Sequence, residues 1–270
     1  MSDNSPTLHR EDTGGDGRPV VLIHGWPLSG ASWSDTVPAL TAAGLRVITY
    51  DRRGFGESEP APDGQYDYDS LAADLAGLLE ELDLRDVSLV GFSMGGGEVA
   101  RYVGNHGQDR LHSIAFAAAI PPWLEKNEDN PDGGLPRAEA EKMQAGLRAD
   151  REGFLDAFMT NFFSSSGELK VSEEQRAEAL ALAAQADLDA AEASIESWLT
   201  DFTEDLAKVT VPTLVIHGDA DAIVPLEVSG QRAHEQVAGS ELVVIKDGPH
   251  GVNVSHAEEF NAALVDFLTR

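Results

Sequence analysis

Short apolar runs alternate with amphipathic stretches over the first 120 residues. Val20–Ile23, Leu45–Tyr50, Val87–Phe92 and Leu111–Ile120 are mostly apolar and end in Gly-rich or charged turns, as buried strands do. Ala31–Ala43 has helical spacing and is stopped by Gly44. In Ser70–Leu82 the residues Leu71, Leu75, Leu78, Leu79 and Leu82 recur every three or four positions, the stripe of a helix that buries one face. Met94–Val103 reads as a further helix, directly after the third strand.

The rhythm breaks at Pro121-Pro122, and from there to about Asp205 the pattern is helical and charged, without a strand. Phe154, Phe158 and Phe162 fall four residues apart, and Glu173–Trp198 is rich in alanine. Alternation then resumes with strand Pro212–His217, helix Leu226–Val237, strand Glu241–Lys246 and helix Ala257–Leu268. Strands alternating with helices through short links predict an α/β fold: a mostly parallel sheet with helices on both faces. Residues 1–120 and 206–270 would form its core, with a helical lid inserted at 121–205. The Phe stripe reads first as the lid's own packing. Pro27, Trp123, Phe158 and Trp198 are also candidates for the wall of a substrate pocket.

Composition narrows the function classes. Asp and Glu outnumber Lys and Arg by 47 to 19, a net charge of −28, which would repel nucleic acids and anionic membrane surfaces. The acids are dispersed along the whole chain. Either a solvated surface or adaptation to molar salt accounts for them. The chain has no cysteine, which excludes disulfides and thiolate chemistry, and no His/Asp/Glu cluster has metal-ligand spacing. No apolar run approaches the ~20 residues of a membrane span. The stretch Met1–Pro6 lacks the basic and apolar parts of a signal peptide, so a soluble cytoplasmic protein is expected. Oligomeric state is not legible in the pattern.

The chemistry gathers at the strand ends. Gly91-Phe92-Ser93-Met94-Gly95 is a G-x-S-x-G sequence at a strand-to-helix junction. A nucleophile on so sharp a turn needs small neighbours, which Gly91 and Gly95–Gly97 supply, and the helix start offers N–H groups to an oxyanion. A serine also needs a base. His250 sits in the tight loop Lys246–Gly251 after the last strand, within reach of the same sheet edge. His9, His106, His112, His234 and His256 lie on polar stretches and read as solvated. His24 and His217 end strands and read as packing or hydrogen-bonding residues. Two acids follow the strand ending at His217. Asp219 suits turn bonding, and Asp221, further out, is the better partner for His250. The order Ser93, Asp221, His250 is the one found in α/β-hydrolases. The oxyanion donors expected are Met94 N–H and, in His24-Gly25-Trp26-Pro27, Trp26 N–H.

These motifs, with Asp51-Arg52-Arg53-Gly54-Phe55-Gly56 and Gly95-Gly96-Gly97-Glu98-Val99-Ala100-Arg101-Tyr102, resemble the cofactor-free haloperoxidase, perhydrolase and aryl-esterase group of α/β-hydrolases over roughly residues 8–270. The resemblance implies a serine esterase acting on small acyl or aryl esters through an acyl-enzyme. It also implies a side activity in which hydrogen peroxide replaces water, with no metal, haem or other cofactor. Two departures accompany it. The charge is far more acidic than in that group, and the short N-terminus implies that the family's first strand is missing. Pro27, whose ring fixes φ near −65°, is expected to hold the Trp26 loop in the form that admits peroxide. Relatives that displace halide or open epoxides use Asp as nucleophile, which Ser93 argues against. A thioesterase, a lactonase, a carbon–carbon hydrolase and a non-catalytic ligand-binding protein stay open.

Overall fold

The computed structural model describes residues 6–270. In chain order the first half runs β1 (Arg10–Asp12), β2 (Pro19–Ile23), α1 (Val37–Ala42), β3 (Arg46–Tyr50), α2 (Tyr68–Glu81), β4 (Val87–Phe92), α3 (Met94–His106) and β5 (Leu111–Ala117). Two ribbons and five helices follow: β6 (Glu125–Lys126), β7 (Leu135–Pro136), α4 (Arg137–Ala149), α5 (Arg151–Phe162), β8 (Ser164–Ser165), β9 (Glu168–Leu169), α6 (Glu173–Ala183), α7 (Leu188–Ser197) and α8 (Thr203–Leu206). The chain closes with β10 (Thr213–Gly218), α9 (Gly230–Gln236), β11 (Glu241–Ile245), α10 (Val252–Ser255) and α11 (Ala257–Leu268).

Seven strands form one sheet in the order β1-β3-β2-β4-β5-β10-β11, parallel except for β1 against β3. This is the α/β architecture expected. β4 and β10 are buried along their whole length, which is why they read as unbroken apolar runs. On one face α2 packs on α3; on the other α1 packs on α11. The Asp67 side chain accepts from Ser70 N–H at 2.9 Å and starts α2, whose Leu71, Leu75, Leu78 and Leu79 are buried.

Several sequence expectations need correction. The helix expected over 31–43 is a 3₁₀ turn, Gly30–Trp33, followed by α1. Pro38 has no N–H and fits only a first turn, so the helix starts beside it. The stretch 226–237 likewise breaks at Ser229. The strand expected to run to Ile120 stops at Ala117, because Ala118 takes φ +44°. β1 was invisible in the pattern: Arg10-Glu11-Asp12 has no apolar position. The missing first strand concerns the N-terminus, where residues 1–5 lie outside the described ones. The ribbons β6–β9 were not expected either; two-residue strands carry no period.

The few basic side chains are largely engaged, for example Arg46 with Asp12, Arg53 with Asp74, and Arg101 with Asp69 and Asp205. The surplus of 28 negative charges has no such partner. Exposed pairs add little stability, so repulsion among the unpaired carboxylates is the electrostatic term that salt changes most. Screening shortens from ~10 Å at 0.1 M to ~3 Å at 1 M. The Tm is therefore expected to climb as KCl is raised from about 0.1 to 2 M; a flat Tm would leave the acids no role beyond solvation.

Candidate active site

Ser93, Asp221, His250 and Trp26 follow β4, β10, β11 and β2 at the C-terminal edge of the sheet. Ser93 follows β4 with φ 53° and ψ −118°, a left-handed backbone that costs a non-glycine residue about 1–3 kcal/mol. The fold holds it there from both sides. Ser93 N–H donates to Ala117 O at 2.9 Å, and Ser93 O accepts from Gly96 N–H at 3.0 Å. α3 then doubles back against β4 and β2 with no space for side chains. A Cβ at Gly95 would lie 2.6 Å from Ile23 O, and one at Gly91 would enter the Gly95 carbonyl.

His250 is buried between the rings of Phe162, edge-on at 4.8 Å, and Phe92 at 5.3 Å. Its Nδ1 is 2.7 Å from Asp221 Oδ2, and its Nε2 is 2.9 Å from Ser93 Oγ. An ionised carboxylate only accepts, so Nδ1 carries the proton and Nε2 is free to take one from Ser93 Oγ–H. Asp221 is itself buried, and its Oδ1 accepts from the N–H groups of Ile223 and Val224 at 2.9 and 2.8 Å. Burial alone would push its carboxyl up. The His250 charge and the hydrogen bonds from His217 and His250 outweigh this and hold it well below the usual carboxylate range. Asp219 is exposed and accepts from Asp247 N–H at 2.6 Å, tying two loops together away from His250. The structure thus brings Ser93, His250 and Asp221 together and leaves Asp219 apart.

Trp26 N–H and Met94 N–H, the expected oxyanion donors, have no protein acceptor among the described residues. Met94 opens α3, where the first N–H groups are free in any helix. Above Ser93 lies a cavity of about 450 Å³, bordered by Trp26, Ile120, Phe154, Phe158, Trp198 and Ile223 among others. Of the four pocket residues expected, Phe158 and Trp198 line it, packing edge-on against Trp26 at 4.9 and 5.0 Å. Pro27 and Trp123 do not. Pro27 is buried outside the cavity border, and Trp123 pairs with Asp201 in an isolated bridge. Phe154 was legible as part of the stripe, but Phe162, its third member, turns to His250 instead. Asn161, Met143 and Ile223 carried no signal. Of the histidines read as solvated, His106 is exposed and His9, His112, His234 and His256 are half-buried; His24 and His217 are buried and hydrogen-bonded. Among the described residues no group of His, Asp and Glu is placed to hold a metal, and no helix is long and apolar enough to cross a membrane.

A strained serine at a strand-to-helix turn, answered by a histidine and an aspartate from later strands, defines an α/β-hydrolase site. The chain belongs to the α/β-hydrolase fold family, whose model matches residues 18–257, and within it to the non-heme haloperoxidase group. It is 42% identical over 260 residues to the non-heme chloroperoxidase of Kitasatospora aureofaciens, covering 95% of this chain and 94% of that one. It is 36% identical over 266 residues to the bifunctional esterase/perhydrolase of Acinetobacter calcoaceticus, covering 96% and 94%. The crystal structure of bromoperoxidase from Bacillus anthracis superposes with TM-score 0.94 at 51% identity, over 98% of this chain and 96% of that one.

Beneath the turn lies a polar network that sequence reading missed. Arg52 Nε donates to Glu98 Oε2 at 2.9 Å and Nη2 to His24 O at 2.8 Å, while Tyr50 Oη–H donates to Glu98 Oε1. Arg52 N–H donates to His24 Nε2 at 3.0 Å, and Tyr68 Oη–H donates to Met94 O at 3.0 Å. These bonds join α3 to the loop of Trp26 from below. All the side chains are buried, so burial pushes the Glu98 carboxyl up and the Arg52 guanidinium down to about 10, and removing either partner leaves the other's polar atoms buried without it. Arg52→Met leaves Glu98 without its counter-ion. It is expected to lower unfolding stability in urea by about 3–5 kcal/mol, whereas the exposed Arg270→Met should leave the urea midpoint almost unchanged.

Proposed function

We propose that this protein is a serine esterase for small uncharged carboxylic esters, with hydrogen peroxide as an alternative acceptor of the acyl group. The observation that carries the reading is the unbroken line of hydrogen bonds Ser93–His250–Asp221, buried under an apolar cavity. The helical segment 121–205 acts as the lid, and residues 1–120 and 206–270 as the core that holds the triad. No residue bordering the cavity is charged, which favours acyl and aryl groups without ionised substituents.

In the reaction Ser93 Oγ attacks the ester carbonyl while its proton passes to His250 Nε2. The carbonyl oxygen becomes an oxyanion facing Trp26 N–H and Met94 N–H. Asp221 stabilises the imidazolium. Collapse breaks the bond to the alkoxide, which leaves as alcohol with the proton from His250. Water then attacks the acyl-enzyme, giving its proton to His250, and the acid leaves as Ser93 is reprotonated. With peroxide in place of water the same steps release a peracid. Free peracid oxidises bromide to hypobromous acid, passing one oxygen atom with its proton and leaving the carboxylate. The relatives named for haloperoxidation and for esterase/perhydrolase action support this second branch.

Ser93→Ala and His250→Ala are each expected to lower turnover of p-nitrophenyl esters by roughly 10⁴-fold or more, because the triad acts as a unit. Asp221→Asn should be severely impaired and Asp219→Asn should stay active; the reverse order would move the carboxylate's role to Asp219. A fluorophosphonate should label wild type and spare Ser93→Ala.

The acyl acceptor is tested separately. With hydrogen peroxide, bromide and an ester donor, wild type is expected to brominate a phenol dye, in the presence of a chelator and not in Ser93→Ala. Vigorous hydrolysis with no peracid would make the protein an esterase alone.

A further inference from the structure

His217, the penultimate residue of β10, is fully buried four residues ahead of Asp221. Its Nε2 lies 2.7 Å from Val224 O and 3.3 Å from Asp221 Oδ2, the oxygen that also accepts from His250. A carbonyl only accepts, so Nε2 carries the proton. Nδ1 has no partner; it faces Gly230 so closely that a Cβ there would lie 2.6 Å away. The ring therefore presents one bonded N–H, at Nε2, toward Val224 O and the neighbouring Asp221 Oδ2, while Nδ1 is without a partner.

We propose that His217 is a positioning residue for the triad carboxylate: its Nε2–H, shared between Val224 O and Asp221 Oδ2, fixes the plane of Asp221 and through it the ring of His250. The proposal rests on the triad reading above. A carboxylate offers about four acceptor positions; Ile223 N–H, Val224 N–H and His250 Nδ1–H take three, and His217 Nε2–H stands 3.3 Å from Oδ2 beside the fourth. They differ in what they stand on. Two belong to the loop itself, and His250 takes on and gives up a proton in each cycle. Only His217 is anchored in the sheet, so it ties Oδ2 to a rigid strand whatever the state of His250. The same N–H bonds Val224 O and braces the loop 218–224 across its width. A side chain that merely held this loop would act on the cavity wall, because Ala222, Ile223 and Val224 line it.

The test uses His217→Gln and His217→Asn in the full chain, with kcat and KM for a p-nitrophenyl ester and thermal unfolding of each. The glutamine amide reaches the place of Nε2 and the shorter asparagine amide only that of Nδ1. Asn should lower kcat about 10- to 100-fold, the scale of one hydrogen bond to a charged group, with KM within about twofold. Gln should recover most of the loss. In an Asp221→Asn background, His217→Asn should add no further loss, since the residue acts through that carboxylate. Equal losses in Gln and Asn would make ring packing the cause, and a rise in KM alone would make His217 a support of the cavity wall; either overturns the proposal. So does unchanged kcat in a folded Asn variant. Asp221→Asn alone, run in the same assay, separates the two levels. If it turns over like wild type, the triad reading itself fails.

Discussion

The turn that holds Ser93 at φ 53° decides where the rest of the site must be. It lifts Oγ past the end of β4, so a base can reach it only from loops at the same edge. His250 comes from the loop after β11, which is three strands away from β4 in the sheet. That loop has to run back over the end of β10. It does so by backbone contact: a Cβ at Gly218 would lie 3.0 Å from Gly248 Cα and overlap the Gly248 carbonyl. Asp221 then emerges on the path of the returning loop, which is why an acid two residues beyond β10's last glycine-aspartate pair meets the imidazole and Asp219 does not. The strain at Ser93 is sustained by groups that are themselves fixed, Ala117 on β5 and the first turn of α3.

Charge is handled in opposite ways inside and outside this protein. Outside, carboxylates are left in surplus and water and ions screen them. Inside, the charged groups near the site are held by named partners. Arg52 meets Glu98 and the His24 carbonyl, leaving only its Nη1 without a partner among the described residues, and Asp221 accepts three hydrogen bonds with His217 Nε2 beside it. The matching matters because a buried charge missing one partner costs several kcal/mol. It also gives the site its stiffness. Arg52 links the helix after Ser93 to the loop of Trp26, so the two expected oxyanion donors belong to one cross-braced unit.

The sheet, its helices and the three residues Ser93, Asp221 and His250 were legible because each leaves a local mark. Buried parallel strands are apolar runs, α2 is a leucine stripe, and the three candidate residues stand in turns after strands. Asp221 could be preferred to Asp219 on chain distance alone. What was illegible depends on contacts between distant residues. Arg52 and Glu98 sit in motifs that resemblance singled out, yet nothing in one dimension says they bond each other. His217 reads as a strand-end histidine, and only folding brings its N–H beside Asp221 Oδ2. Pro27, beside an expected oxyanion donor, and Trp123, an aromatic at the start of the helical block, were expected in the pocket wall, and neither borders the cavity.

The uncharged cavity and the acidic exterior work in the same direction on an ester hydrolysis cycle. Esters, alcohols, water and hydrogen peroxide are neutral and enter without electrostatic cost. The product acid ionises, and the cavity border offers no cation to retain it. Once outside, a carboxylate meets a surface of the same sign, which lowers its local concentration and slows its return. A basic pocket would bind the substrate no better and the product more tightly, a gain in the ground state that adds nothing to turnover.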